Sequence, residues 1–84
     1  MNFHDETTKT IKSRLDVLNK GLVSENNSVQ YYKTLTEKTP EDTEENIGAR
    51  RMYQELMEEE KNHVEKFRDL IERWEQKLRE LNTK

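Results

Sequence analysis

"EKTPEDTEEN", residues 37–46, is the one stretch of this chain that convincingly breaks a helical pattern. It holds the only proline, Pro40, which has no amide proton to donate and clashes with a preceding helical turn, so a helix cannot run through it undisturbed. Thr39 can cap a following helix, Pro40 fits a first helical turn, and Glu41 and Asp42 suit the positive end of its dipole. Taken more broadly, the whole of 39–46 is a loop. Both readings divide the chain into two long helices, and the length of the loop decides which residues face one another.

Upstream, Ile11, Leu15, Leu18, Leu22, Val29 and Tyr32 recur at spacings of 4, 3, 4, 7 and 3, which is one face of a helix over about residues 5–38. Gly21 could end a helix after Lys20, but the stripe stays in phase from Leu18 to Leu22, so one helix, bent or straight, is predicted. Downstream, a helix is predicted over about 44–82. At about 100° per residue, Ala49, Tyr53, Leu56, Met57, Val64, Phe67, Leu70, Ile71, Trp74, Leu78 and Leu81 fall in one arc of about 140°. Lys61, Asn62, Glu65, Lys66, Arg68, Asp69, Glu72, Arg73, Gln76, Arg79 and Glu80 fall outside it. The expected fold is all-α: an antiparallel two-helix hairpin forming a single domain over 1–84.

A hairpin of 84 residues buries too little apolar surface to offset roughly 1.5 kcal/mol of ordering entropy per residue, so a staple is expected. With no cysteine, disulfides and thiolate metal sites are excluded; a metal, or a second copy completing a four-helix bundle, is left. The 15 basic and 18 acidic residues are intermixed, with no basic stripe interleaved with aromatics, which argues against nucleic acid as a partner. No run reaches the roughly 20 apolar residues of a membrane span, and "MNFHDETTK" lacks the apolar core of a signal peptide, so a cytoplasmic location is expected.

Three polar residues interrupt the apolar faces. Glu60 and His63 lie inside the arc of the second helix, and Glu25 fills the seven-residue gap between Leu22 and Val29 on the first. Each has a plain explanation. Glutamate is 14 of 84 residues, so a Glu three positions before a given His arises by chance about one time in six. A lone histidine on such a face is more often a hydrogen-bonded core residue than a ligand. Together they are harder to dismiss, because unpaired buried carboxylates cost several kcal/mol, a large fraction of a small domain's stability. Two hairpins paired about a two-fold axis would bring together four carboxylates and two imidazoles. That set balances two divalent cations and suits iron or manganese.

Register tests the idea. A loop centred on Pro40 puts Glu25 about 15 residues before it and Glu60 about 20 after it, an axial mismatch near 7 Å. A loop over 39–46 moves the midpoint to about 43 and brings Glu25 level with Glu60 and His63. Glu58 and Glu59 fall on the solvent side, and His4 lies in a polar end with no structural part to play. Met57 and Trp74 are core by phase.

"LVSENNSVQYYKTL" and "LMEEEKNHVEKFRDLIERW" together resemble the ferritin-like superfamily, in particular half-length rubrerythrin-like and encapsulated-ferritin-like members, over roughly residues 18–80. The resemblance implies that Glu25 is a ligand from the first helix, Glu60 a bridging carboxylate and His63 a terminal nitrogen ligand. It implies two irons per subunit pair, a site between two subunits, and a homodimer or ring-like oligomer. It further implies Fe2+ oxidation to Fe3+, for iron storage or detoxification, with an encapsulin-type shell as partner and a protein nanocompartment as location. Two departures limit it: the cysteine-ligated iron domain of rubrerythrins proper has no counterpart, and "KLRELNTK" ends in helical pattern where a shell-docking tail would follow.

The leading expectation is therefore a non-haem di-iron ferroxidase with Glu25, Glu60 and His63 as its catalytic and metal residues. Tyr32 and Tyr53 lie two turns from Glu25 and Glu60 on the same faces, placed to hydrogen-bond a ligand or simply to pack. Two other expectations stay open: a non-catalytic metal-stapled helical oligomer, and a metal-free adaptor hairpin receiving a partner helix.

Overall fold

The computed structural model describes residues 5–83, so His4 lies outside the described residues. Two helices, α1 (Thr8–Lys38) and α2 (Glu44–Asn82), form an antiparallel hairpin. α1 starts at Thr8, three residues later than its apolar stripe suggests, because Thr7 and Thr10 form a reciprocal cap. The Thr10 amide donates to Thr7 Oγ1 at 3.1 Å, and the Thr7 amide to Thr10 Oγ1 at 2.7 Å. It then runs through Gly21 without interruption.

The turn corrects the first reading of "EKTPEDTEEN". Thr39 does not open α2; it closes α1, in extended conformation (φ −90°, ψ 114°). The cause is the next residue: the Pro40 ring disfavours helical geometry at Thr39. The Thr39 amide donates to the Leu35 and Thr36 carbonyls, and its hydroxyl donates to Leu35 at 2.7 Å. The N-cap of α2 is Thr43, whose hydroxyl accepts from the Asn46 amide at 3.1 Å, with Glu44 and Glu45 in the first turn against the dipole. Pro40 lies in the loop, which spans 39–43 and is shorter than the 39–46 expected.

Arg50 locks this end. Its Nη1 donates to the Thr36 and Thr39 carbonyls at 3.0 Å each, and its Nε lies 3.2 Å from Glu41 Oε1. A cation thus satisfies the open carbonyls at the negative end of α1.

The register follows from paired residues. Arg14 stacks on Trp74 with its guanidinium 4.4 Å from the ring centroid, Leu18 and Leu70 line one groove, Gly21 meets Phe67, and Glu25 meets His63. Each pair is centred on residue 44, close to the midpoint of about 43 that aligns the three polar residues. The first turn and a half of α2 therefore extends past the end of α1, and the Arg50 side chain reaches back to it.

The eleven apolar residues that phase places in the α2 arc are buried or half-buried, as is Glu60; His63, in the same arc, is exposed, as are all eleven residues placed outside it. Yet the hairpin has almost no interior. Ile11 and Val64 are the only buried apolar residues described, and the body measures 62 × 21 × 14 Å. A thickness of 14 Å is little more than one helix with its side chains. Among the described residues, Val17 is 67% exposed, and Val23, Tyr31 and Met52 are half-exposed or more.

Candidate metal centre

Glu60 and His63 are i and i+3 on α2, so both side chains rise from one face, and the register sets Glu25 of α1 opposite them. The Glu25 Oε2 to His63 Nδ1 distance is 3.5 Å, and Glu60 Oε2 lies 3.7 Å from the same nitrogen. One ligand atom from each of the three residues falls within 4.8 Å of the other two. This convergence happens within one chain; the sequence reading needed a second copy to count the group.

The group is electrostatically unsatisfied. Glu25 Oε2 is buried and receives no hydrogen bond from the described residues. The Glu60 carboxyl is held above the usual carboxylate range, chiefly by a hydrogen bond with the Glu25 carboxyl, then by burial and the Glu25 charge; His63 opposes the rise. The Glu25 carboxyl beside Glu60 thus makes a second negative charge at Glu60 unfavourable. A cation would offset it.

The donor set fits iron. Carboxylate oxygens and an imidazole nitrogen are ligands for Fe2+ or Mn2+, and atoms flanking one ion at about 2.0–2.2 Å sit roughly 3–4.4 Å apart. The observed separations of 3.5 and 3.7 Å lie in that range, and the orphaned Glu25 oxygen is the atom an ion would satisfy.

The three side chains differ in exposure within the single hairpin. The His63 side chain is 49% exposed, whereas those of Glu25 and Glu60 are 23% exposed. Its phase angle leans to one flank of the arc, and a lone hairpin has no helix there to cover it. Tyr32 and Tyr53 are half-buried as their phase implies, but among the described residues no hydrogen bond joins either hydroxyl to Glu25, Glu60 or His63. Tyr32 packs edge-on against Tyr31 at 5.3 Å instead. Glu58 and Glu59 face solvent, with Glu58 3.3 Å from Lys61 Nζ. Met57 and Trp74 are half-buried packing residues.

The sequence reading missed the layer beside the group. Phe67, one turn from His63, lies against the backbone of Gly21, one turn from Glu25. A glycine on the same stripe as the first-helix carboxylate was the available signal.

A family model described as Rubrerythrin matches residues 16–84, which includes Glu25, Glu60 and His63. No curated protein and no solved structure matches the chain.

Proposed function

The chain belongs to the rubrerythrin family, which implies a di-iron oxidoreductase in general, and from that premise we propose that it is a ferroxidase whose site is completed by a second copy of itself. The observation that carries the reading is the convergence of Glu25, Glu60 and His63 within 4.8 Å.

Three ligands are half of the set that di-iron bundles use: one Glu from each of two helices and a Glu-x-x-His from each of the other two. The accessible surface supports a missing half. A compact 10.2 kDa protein exposes about 5,300 Å², whereas this chain exposes 6710 Å². The excess of about 1,400 Å² exceeds the roughly 800 Å² per partner of a standard interface and suits an obligate homodimer. Val17, Leu70 and Trp74 line an open apolar groove between the helices, and His63 is itself half-exposed.

In such a dimer Glu25 and Glu60 of each copy supply four carboxylates and His63 two imidazoles. Bound iron would supply the one-electron chemistry that converts Fe2+ to Fe3+ with dioxygen or peroxide as oxidant. The chain's own part is to hold charge and to exchange protons. The Glu25 and Glu60 carboxylates would balance the charge of the more highly charged product, and the raised pKa of Glu60 means that cation entry would be opposed by protons at that carboxyl. Storage of the product requires a cage, built by further copies or supplied as a shell by another protein.

The test is oxygen consumption and growth of a ferric absorbance band on adding Fe2+ to the native oligomer. Turnover lost in Glu60→Ala and in His63→Ala, with the oligomer intact, is the expected result. Iron that binds at these residues without being oxidised makes the protein a metal-stapled oligomer; no binding under saturating Fe2+ removes the site.

A further inference from the structure

Gly21 is an expensive residue where it stands. It lies in the middle of α1, where glycine is among the least favourable residues a helix can carry. Glycine in a helix is often excused by a left-handed backbone, but no described glycine has positive φ. What remains is the missing Cβ. An ideal Cβ built at Gly21 would collide with Phe67 Cε1, stand 2.8 Å from Cζ and 3.3 Å from Cδ1, against about 3.5–4.0 Å for carbon atoms in contact. The Phe67 ring occupies the space a side chain would take.

The position of this notch gives it a consequence. Gly21 precedes Glu25 by one turn and Phe67 follows His63 by one turn, so the ring-on-backbone contact is the layer next to the carboxylate–imidazole group, about 6 Å along the axis. Helix separation is set by the side chains at the contact, typically at 8–10 Å, and a missing Cβ permits the close end. Ligand atoms contributed by two helices must match metal distances to within about 0.2 Å, so the spacing of this layer limits what the group can hold. We propose that Gly21 and Phe67 are positioning residues: the seating of the Phe67 ring on the bare Gly21 backbone sets the distance between Glu25 on α1 and His63 on α2.

This rests on the metal-site reading for its effect on binding, but not for its effect on spacing. Gly48 is an internal control, since a Cβ there would meet nothing within 4 Å. The experiment compares Gly21→Ala, Gly48→Ala and the double variant Gly21→Ala/Phe67→Leu by crystal structures of the metal-free proteins and by Co2+ titration. In Gly21→Ala the Glu25–His63 separation, 3.5 Å in the native chain, widens by about 1 Å as the ring retreats to contact distance. Co2+ affinity falls about 10- to 100-fold, the usual range for residues that orient ligands, and the visible band of bound Co2+ shifts. The shorter leucine restores both, and Gly48→Ala changes neither.

An unchanged separation in Gly21→Ala overturns the proposal whatever the affinity does, and so does failure of Phe67→Leu to restore it. Should Gly21→Ala not fold, the double variant still decides: recovery of the fold and the native separation supports the notch, and no recovery overturns it. If native protein takes up no Co2+ while the separation follows these expectations, the metal-site reading fails and the spacer stands.

Discussion

Glu25 Oε2 on α1 lies 3.5 Å from His63 Nδ1 on α2, buried and without a hydrogen-bond donor among the described residues, while the neighbouring Glu60 carboxyl is held in its protonated form more strongly than an ordinary glutamate. The metal-free hairpin therefore stores unfavourable charge where a leucine would have stabilised it, the pattern expected where function is retained at the expense of stability.

The sign of the pH dependence follows. Because the folded-state pKa of Glu60 is raised, the folded protein binds more protons than the unfolded chain, and the stability gained at low pH is lost as pH rises through the Glu60 titration. Urea unfolding of metal-free protein at fixed concentration is expected to show stability falling over that interval, a fall that Glu60→Gln removes. At neutral pH Glu60→Gln should be the more stable metal-free protein, by about 0.5–2 kcal/mol. A variant less stable than native at every pH would contradict the assignment.

The turn yields a second prediction. Thr43→Ala removes the N-cap of α2 and should cost about 1 kcal/mol in thermal or urea unfolding. Arg50→Ala should cost more, about 1–3 kcal/mol, because it leaves the Thr36 and Thr39 carbonyls without their cationic donor. Pro40→Ala, outside both helices and making no capping bond, should cost less than either. A larger loss at Pro40 than at Thr43 would mean that the conformation Pro40 imposes on Thr39 holds the turn more firmly than the Thr43 cap does.

These elements show what one sequence could and could not reveal. Helical phase separated Glu60 from Glu58 and Glu59, because burial along a helix repeats with a fixed angle and needs no knowledge of the partner. Phase could not assign Thr39 and Thr43, since both threonines are able caps; the decision came from the conformation that Pro40 forces on Thr39. It could not find Arg50, whose partners depend on how far α2 extends past α1. Nor could it give the role of Gly21, because absence of a side chain acquires meaning only once Phe67 is known to lie opposite. The half-exposed His63 escaped for a related reason: a stripe tells which face is covered in some assembly, not whether one hairpin covers it.

Association is the third expectation. Val17 is 67% exposed and lines the apolar groove with Leu70 and Trp74. A glutamate there would place like charges near one another across a two-fold interface, so Val17→Glu should weaken self-association at least tenfold by sedimentation, with retained helical content and lost Fe2+ oxidation. Lys61→Glu, exposed on the opposite flank, should leave association within twofold of native. Equal self-association of native protein and Val17→Glu would place the interface elsewhere.

Metal and redox turnover can be separated with a cation that does not react. Mn2+ suits the same oxygen and nitrogen donors as Fe2+, and a ligand that binds only the folded state at 100 times its Kd adds about 2.7 kcal/mol of stability. For a chain of this size each kcal/mol moves Tm by about 4–8 °C, so saturating Mn2+ should raise Tm by about 10–20 °C without consuming oxygen. Chelation should reverse the rise, and the gain should vanish in His63→Ala and Glu25→Ala, which lose one ligand from α2 and α1 respectively. Fe2+ in air should give the same stabilisation together with oxygen uptake. Stabilisation by both ions with no uptake for Fe2+ would make the group a staple and nothing more; a rise in Tm that persists in both variants would mean that the cation binds away from Glu25, Glu60 and His63.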